Sequence, residues 1–466
     1  MKPFHTNVIA ALFGTSLFVP SLSQAEIDPD LKALREEIAQ MKQAYEQRIN
    51  ALELRLVQAE AKAAAGPATA QQAIVQQTQP AATQSNSFNP EVSMILAGSY
   101  NNLKQDPNAY QITGFIPTQG DVGPGTRGFS LGESELTLSA NVDPDWRGVA
   151  IASLAPSGGV VMENAYFQRI DLGNGLSFKG GRFFSGIGYM NEQHAHAWDF
   201  ADAPLVYKAF LGNQIADDGL QLKWLAPTDT YLEFGAEAGR GRSFPGADNN
   251  KNGVSQVALF AHLGDDVGVS NAWRIGLSLL SSAPNNRGYQ DANSSGTTVS
   301  NSFSGKSRLW IADGIWKWAP DGNSTVTNFK LQGEYFRRRE DGRLASESVD
   351  CGGTCADSFD SNQDGWYLQG VYQFMPHWRF GLRHDGLGYG TVNIGLVNSG
   401  VLTAADFPVL AAHDPKRDTA MLDYSPSEFT RFRLQWAHDN SGVGAADKQV
   451  FLQYLFNLGA HGAHQF

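Results

Sequence analysis

Past residue 90 the chain alternates between apolar and polar side chains. Phe432, Leu434 and Trp436 oppose Arg431, Arg433 and Gln435; Val450, Leu452, Tyr454 and Phe456 oppose Gln449, Gln453 and Asn457; Trp378, Phe380 and Leu382 oppose Arg379 and Arg383. A period of two predicts strands with one apolar face. Nearer the start the period is different. Leu31, Leu34, Ile38, Met41, Tyr45, Ile49, Leu52, Leu56, Ala59 and Ala63 recur at alternating spacings of three and four amid Glu, Lys, Arg and Gln. That is a heptad seam with one stutter, the narrow stripe of a self-associating helix. Between the two patterns, residues 64–89 are rich in Ala, Gln, Thr and Pro and hold almost no large apolar side chain, the composition of a tether.

The connections between the strands alternate in length. Short ones fall at Asp143-Pro144-Asp145, Asp171 to Gly175, Pro227 to Asp229, Gly264 to Ser270, Pro320 to Asn323, Met375-Pro376 and Ser425-Pro426-Ser427. Longer polar stretches lie near 101–127, 184–216, 240–253, 283–306, 339–364 and 386–416, with shorter ones near 157 and 440. Short turns on one side and long loops on the other are the pattern of an outer-membrane barrel. Seven turns and eight loops predict an all-β transmembrane antiparallel barrel of about 16 strands, with both ends on the periplasmic side. Trp146, Trp224, Trp273, Trp316, Trp318 and Trp378 lie within a few residues of short turns, as an interfacial girdle requires.

The first 25 residues fit an exported product. Lys2 precedes an apolar run from Val8 to Val19 and a small-residue site ending at Ala25, the layout of a cleaved leader. The expected organisation is therefore a signal peptide over 1–25, a periplasmic coiled coil over 26–63, a linker over 64–89 and a barrel over 90–466. No later apolar stretch is long enough for a spanning helix. Forty-nine Gly, 27 Phe, 14 Tyr and 10 Trp combined with a negative mean hydropathy suit strands that face lipid on one side and water on the other. Net charge is −12, and loss of Lys2 with the leader takes it to −13, which argues against nucleic acid as a partner. Cys351 and Cys355, the two cysteines, stand in a Gly/Ser/Asp-rich stretch of an exported chain and are expected to form a local disulfide.

An apolar face turned to lipid sends Glu133, Glu135, Lys223, Glu233, Glu237, Arg274, Lys330, Glu334, Arg379, Arg383, Arg431 and Arg433 into the lumen. An Arg or Lys on the lipid face would cost about 2–4 kcal/mol near the midplane. Arginines gather on the strands near 379 and 431 and carboxylates on those near 133 and 233, so a transverse field across the pore is expected, with some of these charges pairing off. Catalytic motifs are absent: there is no Gly-x-Ser-x-Gly elbow, no His-Glu-x-x-His and no phosphate-cradling glycine loop. The chain reads as a non-enzyme.

The segments Phe129 to Pro144 and Lys179 to Tyr189 resemble the phosphate-selective porin superfamily. More closely, they resemble a group of proteobacterial outer-membrane proteins, often labelled TonB-dependent receptors, that end in a His-x-x-His-x-Phe tail, here His461 to Phe466. The resemblance implies a 16-stranded trimeric channel in which the third outer loop folds inward as the constriction. That loop runs from Ser185 to Gln214 and carries Glu192, His194, His196, Asp199 and Asp202, with a single lysine, Lys208. Such a charge set does not carry over phosphate selectivity.

Two readings of this loop follow. One is a polar constriction packed on the wall through Trp198 and Phe200. The other is a divalent-metal site, because imidazole and carboxylate together suit such ions and histidine recurs beside aspartate at His384-Asp385, His413-Asp414 and His438-Asp439. His194 and His196, with His461 and His464 of the tail, are the candidate metal ligands, and no other cofactor is expected. The expected function is passive diffusion of small polar or charged solutes through an outer-membrane homotrimer in contact with lipid, its coiled coil reaching toward peptidoglycan. A metal-linked uptake channel and a structural or adhesive barrel are the alternatives.

Overall fold

Alternation becomes strand pairing over most of the second part of the chain. The computed structural model describes residues 90–459 apart from 119, 121, 155–157, 248 and 249. The expected leader, coiled coil, linker and histidine tail lie outside the described residues. The first eight strands are β1 (Glu91–Leu103), β2 (Gly128–Leu131 and Ser134–Asn141), β3 (Trp146–Leu154), β4 (Val160–Arg169), β5 (Leu176–Phe184), β6 (Ala216–Leu225), β7 (Tyr231–Gly239) and β8 (Gln256–Val267). The remaining eight are β9 (Asn271–Ser282 and Arg287–Ala292), β10 (Thr298–Trp318), β11 (Asn328–Ser348), β12 (Gly353–Met375), β13 (Trp378–Ile394), β14 (Lys416–Ser427), β15 (Thr430–Asn440) and β16 (Asp447–Gly459).

Each strand pairs antiparallel with its neighbours in sequence, and β1 pairs with β16 from Ser93↔Gly459 to Leu103↔Gln449, closing a 16-stranded barrel among the described residues. Two strands are interrupted. Both pieces of β2 pair with β1, on either side of Gly132 and Glu133. Both pieces of β9 pair with β10, on either side of a bend that contains Pro284, which has no N–H to give to the ladder.

The alternation sorts the side chains. Leu222, Phe234, Leu259, Leu277, Leu382, Leu434 and Leu452 are exposed on the outside, while Glu135, Gln221, Glu334, Gln369, Arg383 and Arg433 are buried within. At the short-turn end, Trp146 packs on Phe167, Trp224 on Phe234, Trp316 on Phe329 and Trp378 on Tyr424, the belt that the tryptophan spacing predicts.

Strand length departs from the sequence-based expectation. The stretches 283–306 and 339–364, read above as long loops, are largely strand, and β13 takes 386–416 only as far as Ile394, leaving a long connection to β14: β10 to β13 run for 17 to 23 residues where β3 to β7 have 9 or 10. At about 3.3 Å per residue a 21-residue strand is roughly 70 Å long, far more than a tilted strand needs to cross a bilayer. Beyond the membrane neither face meets lipid, so the apolar stripe lapses although the ladder continues. The fourth and seventh of the short turns are also tighter than expected, with β8 persisting to Val267 and β14 to Ser427.

The interior is packed. One cluster around Ile187, Val206, Tyr207, Phe210, Phe260 and Phe336 fills the middle of the barrel. A second, around Phe303, Leu344, Phe359, Leu396, Phe407 and Leu410, fills the side where the long strands project.

Candidate functional site

The segment between β5 and β6 enters the barrel, and wall side chains hold it there. At its start the Ser185 hydroxyl and Gly186 N–H donate to Glu237 at 2.5 and 2.8 Å, and Gly188 N–H donates to Ser278 Oγ at 3.1 Å. Glu334 then accepts from the N–H groups of Tyr189 and Met190, both at 3.2 Å, and from the hydroxyls of Tyr207 at 2.9 Å and Tyr367 at 2.7 Å. Asn191 ties the two ends of the loop together: its amide donates to Ser185 O and Ile215 O and accepts from Ile215 N–H. A short helix, α1 (Leu205–Leu211), forms the deepest part. All seven of its residues are at most 1% exposed. Leu205 N–H donates to Asp385 at 3.0 Å, satisfying one of the donors left open at the helix start, and Gly212 ends the helix in the left-handed conformation with φ 65°.

The histidine end of the loop lies on an acidic wall. His196 Nδ1 is 2.8 Å from Glu135 Oε1, and His194 Nδ1 is 3.2 Å from Glu135 Oε2 and 3.1 Å from Glu163 Oε2. Burial pushes the His194 pKa down, but Glu135 and Glu163 outweigh it and hold the imidazole up at about 10. Carboxylate oxygens of Glu133, Glu135 and Glu163 lie within 4.8 Å of one another. Strand irregularities bring them together. Glu133 sits at the break in β2, and Glu163 is the extra residue of a bulge in β4, where Ile151 pairs with Asn164 and Ala152 with Met162.

The aspartate end lies on a basic wall. Asp199 contacts Lys330 and Arg379 and accepts from Gln369 at 3.1 Å. Asp202 meets Lys208 at 3.0 Å, Arg383 at 3.1 Å and Arg417. Burial opposes both charges, yet these cations hold both carboxyls well below the usual range. Arg431 and Arg433 donate to the Trp198 carbonyl between the two ends. The loop therefore presents imidazole to the acidic wall and carboxylate to the basic one. The field expected across an open pore ends on the loop itself.

An uncharacterized protein of Aquifex aeolicus (strain VF5) is 30% identical over 398 residues, covering 81% of this chain and 80% of its own length. The chain belongs to the family of that protein. No family model matches the chain. Among solved structures, OmpTdeltaL8, a loop L8 deletion mutant of an outer membrane protein of Vibrio cholerae, aligns at a TM-score of 0.50 and 13% identity over 80% of this chain and 100% of that one. The outer membrane channel DcaP of Acinetobacter baumannii aligns at 0.46 and 13%, over 80% and 99%. The likeness to OmpT is one of fold. The chain thus shares a family with the Aquifex protein and, with OmpT, an outer-membrane barrel architecture.

Other charged residues named from the sequence have their own neighbours. Lys223 bridges Glu192 at 3.0 Å and Glu233 at 3.7 Å, and Glu233 also meets His262 at 3.1 Å. Arg274 pairs with Asp313 at 3.5 Å and lies over the Tyr189 ring. Arg433 pairs with Asp423 at 2.8 Å, and Arg379 contacts the same carboxylate. His194 and His196 do not meet Asp199 and Asp202, which the arginines hold. The His-Asp dipeptides of β13 and β15 do not form joint sites either, because consecutive strand residues point to opposite faces: Asp385 and Asp439 are buried within, whereas His384 pairs with Asp418 at 2.6 Å on a solvated face. In the connection before β14, Asp414 accepts from Tyr389 N–H and the His413 ring lies 3.0 Å from Asn440 O. Cys351 and Cys355 are disulfide-bonded at the tip of the β11–β12 hairpin. Sequence reasoning missed Glu163, Arg338, Arg417 and Asp423. Arg338 and Arg417 sit on strand stretches whose polar sequence gave no sign of which face was buried.

Proposed function

We propose that this protein is an outer-membrane channel for small hydrophilic solutes whose pore is closed, in the conformation described here, by its own inward-folded third loop. The observation that carries the reading is a lumen lined by opposed charged walls with a loop of matched charge lodged between them. A wall built only to be filled has no need of so many ionised groups, since buried ion pairs contribute little net stability. The barrel performs no catalysis in this reading. Its leader exports it, and its coiled coil holds three copies together on the periplasmic side.

Small solutes pass when α1 and its flanks shift, and the polar cavity of about 250 Å³ on the short-turn side, lined by His196, Arg379, Arg431, Ser425, Thr430 and Gln373, is the vestibule they meet. Single-channel recording in planar bilayers tests this. Wild-type protein is expected to give brief, small openings, and deletion of Leu205–Leu211 is expected to raise the conductance several-fold. Silence from both, with each protein migrating as a folded barrel, overturns the channel reading. The barrel would then be a plugged anchor.

A further inference from the structure

We propose that Glu135, Glu163, His194 and His196 bind one borderline divalent transition-metal cation, with zinc as the reference ion, which clamps the histidine end of the inner loop to the barrel wall. Two imidazoles and two carboxylates make up a common donor set for such an ion. Ligand atoms of Glu135, His194 and His196 lie within 4.8 Å of one another, and those of Glu163 and Glu133 lie equally close to Glu135. Metal–ligand distances near 2.1 Å place the donors of a tetrahedral site about 3.4 Å apart. The separations of 2.8, 3.1 and 3.2 Å fall just inside that value, so small outward movements admit the ion.

Charge argues in the same direction. Three carboxylates crowd here, and among the described residues the ion pairs of Glu135 and Glu163 are with histidine alone. A divalent cation supplies positive charge to these carboxylates and takes the Nδ1 positions that face them. One neighbour opposes the ion. Asn164 accepts from Phe184 N–H at 3.1 Å through its oxygen, which leaves its amide nitrogen 3.0 Å from His194 Nε2. Metal on Nδ1 puts the ring proton on Nε2, where this amide offers no acceptor. Asn164→Asp supplies one while keeping an oxygen for Phe184, completing a carboxylate–histidine–metal arrangement. Binding here does not depend on whether the barrel conducts.

Full-length protein without an added histidine tag, stripped by chelator, is titrated with zinc chloride by calorimetry in two buffers of different ionisation enthalpy, and with cobalt chloride by visible absorption. The expected result is one cation per chain and cobalt d–d bands. His194→Ala with His196→Ala should weaken binding at least about 10-fold, Glu135→Gln, which still accepts from His196, should weaken it likewise, and Asn164→Asp should tighten it about 10-fold. No binding by wild-type protein overturns the proposal. So does undiminished affinity in the double histidine variant, which would place the ion elsewhere.

Discussion

The two ends of the inner loop are anchored by opposite chemistry. At the aspartate end, Asp199 and Asp202 are surrounded by Lys208, Lys330, Arg379, Arg383 and Arg417; at the histidine end, His194 and His196 are surrounded by Glu133, Glu135 and Glu163. Guanidinium groups cannot shed their charge, so the aspartate end is committed to ion pairing. Imidazoles are metal ligands, and the carboxylates around them can take the same ion. One end is a permanent anchor and the other an exchangeable one.

The largest effect that separates them should come from Asp202→Asn. It leaves Lys208, Arg383 and Arg417 buried without their shared counter-charge, and loss of about 3–5 kcal/mol is expected from chemical unfolding of the barrel in detergent. Glu334→Gln comes next. The amide accepts through one oxygen where the carboxylate used two, so about 1–3 kcal/mol should go, seen as faster hydrogen exchange over residues 189–190 and 205–211. His196→Ala, measured with chelator present, should cost only about 1 kcal/mol, because Glu135 keeps His194. If it costs as much as Asp202→Asn, the two ends are equivalent and the contrast fails.

Acid should have the smallest effect. The folded-state pKa of Asp202 lies below its unfolded value, so its contribution is complete above that unfolded value, 3.8, and is lost only as pH falls through the depressed folded one. Exchange protection over residues 198–211 should therefore hold unchanged from pH 7 to pH 5. Early loss in that range would show that the arginines do not hold Asp202 as described.

Much of this was legible in the sequence, and what was not has physical causes. Strand number followed from the spacing of turns such as Asp143-Pro144-Asp145 and Met375-Pro376, since only a turn interrupts a period of two. The expectation of long outer loops failed at the β9–β10 and β11–β12 connections because a strand outside the bilayer has no lipid face to mark it. Glu163 was invisible as a lumen residue because Val160, Val161 and Met162 beside it are all apolar and the bulge in β4 shifts the alternation by one. The pairing of Asp202 with Arg383 and Arg417 joins residues far apart in sequence, and no local pattern reports it. His194 and Asp199 are near neighbours in the chain, yet they serve opposite walls.

The closure of β1 on β16 bears on how the barrel is made. The first and last strands of the barrel share one ladder, Ser93 beside Gly459, so neither edge is covered until β16 has been made. A chain stopped before β16 keeps most of its strands and still has two open edges, each able to pair with another chain. Loss of that last strand should therefore produce aggregation rather than a slightly weaker barrel, and the unfinished polypeptide needs protection for its whole passage to the membrane.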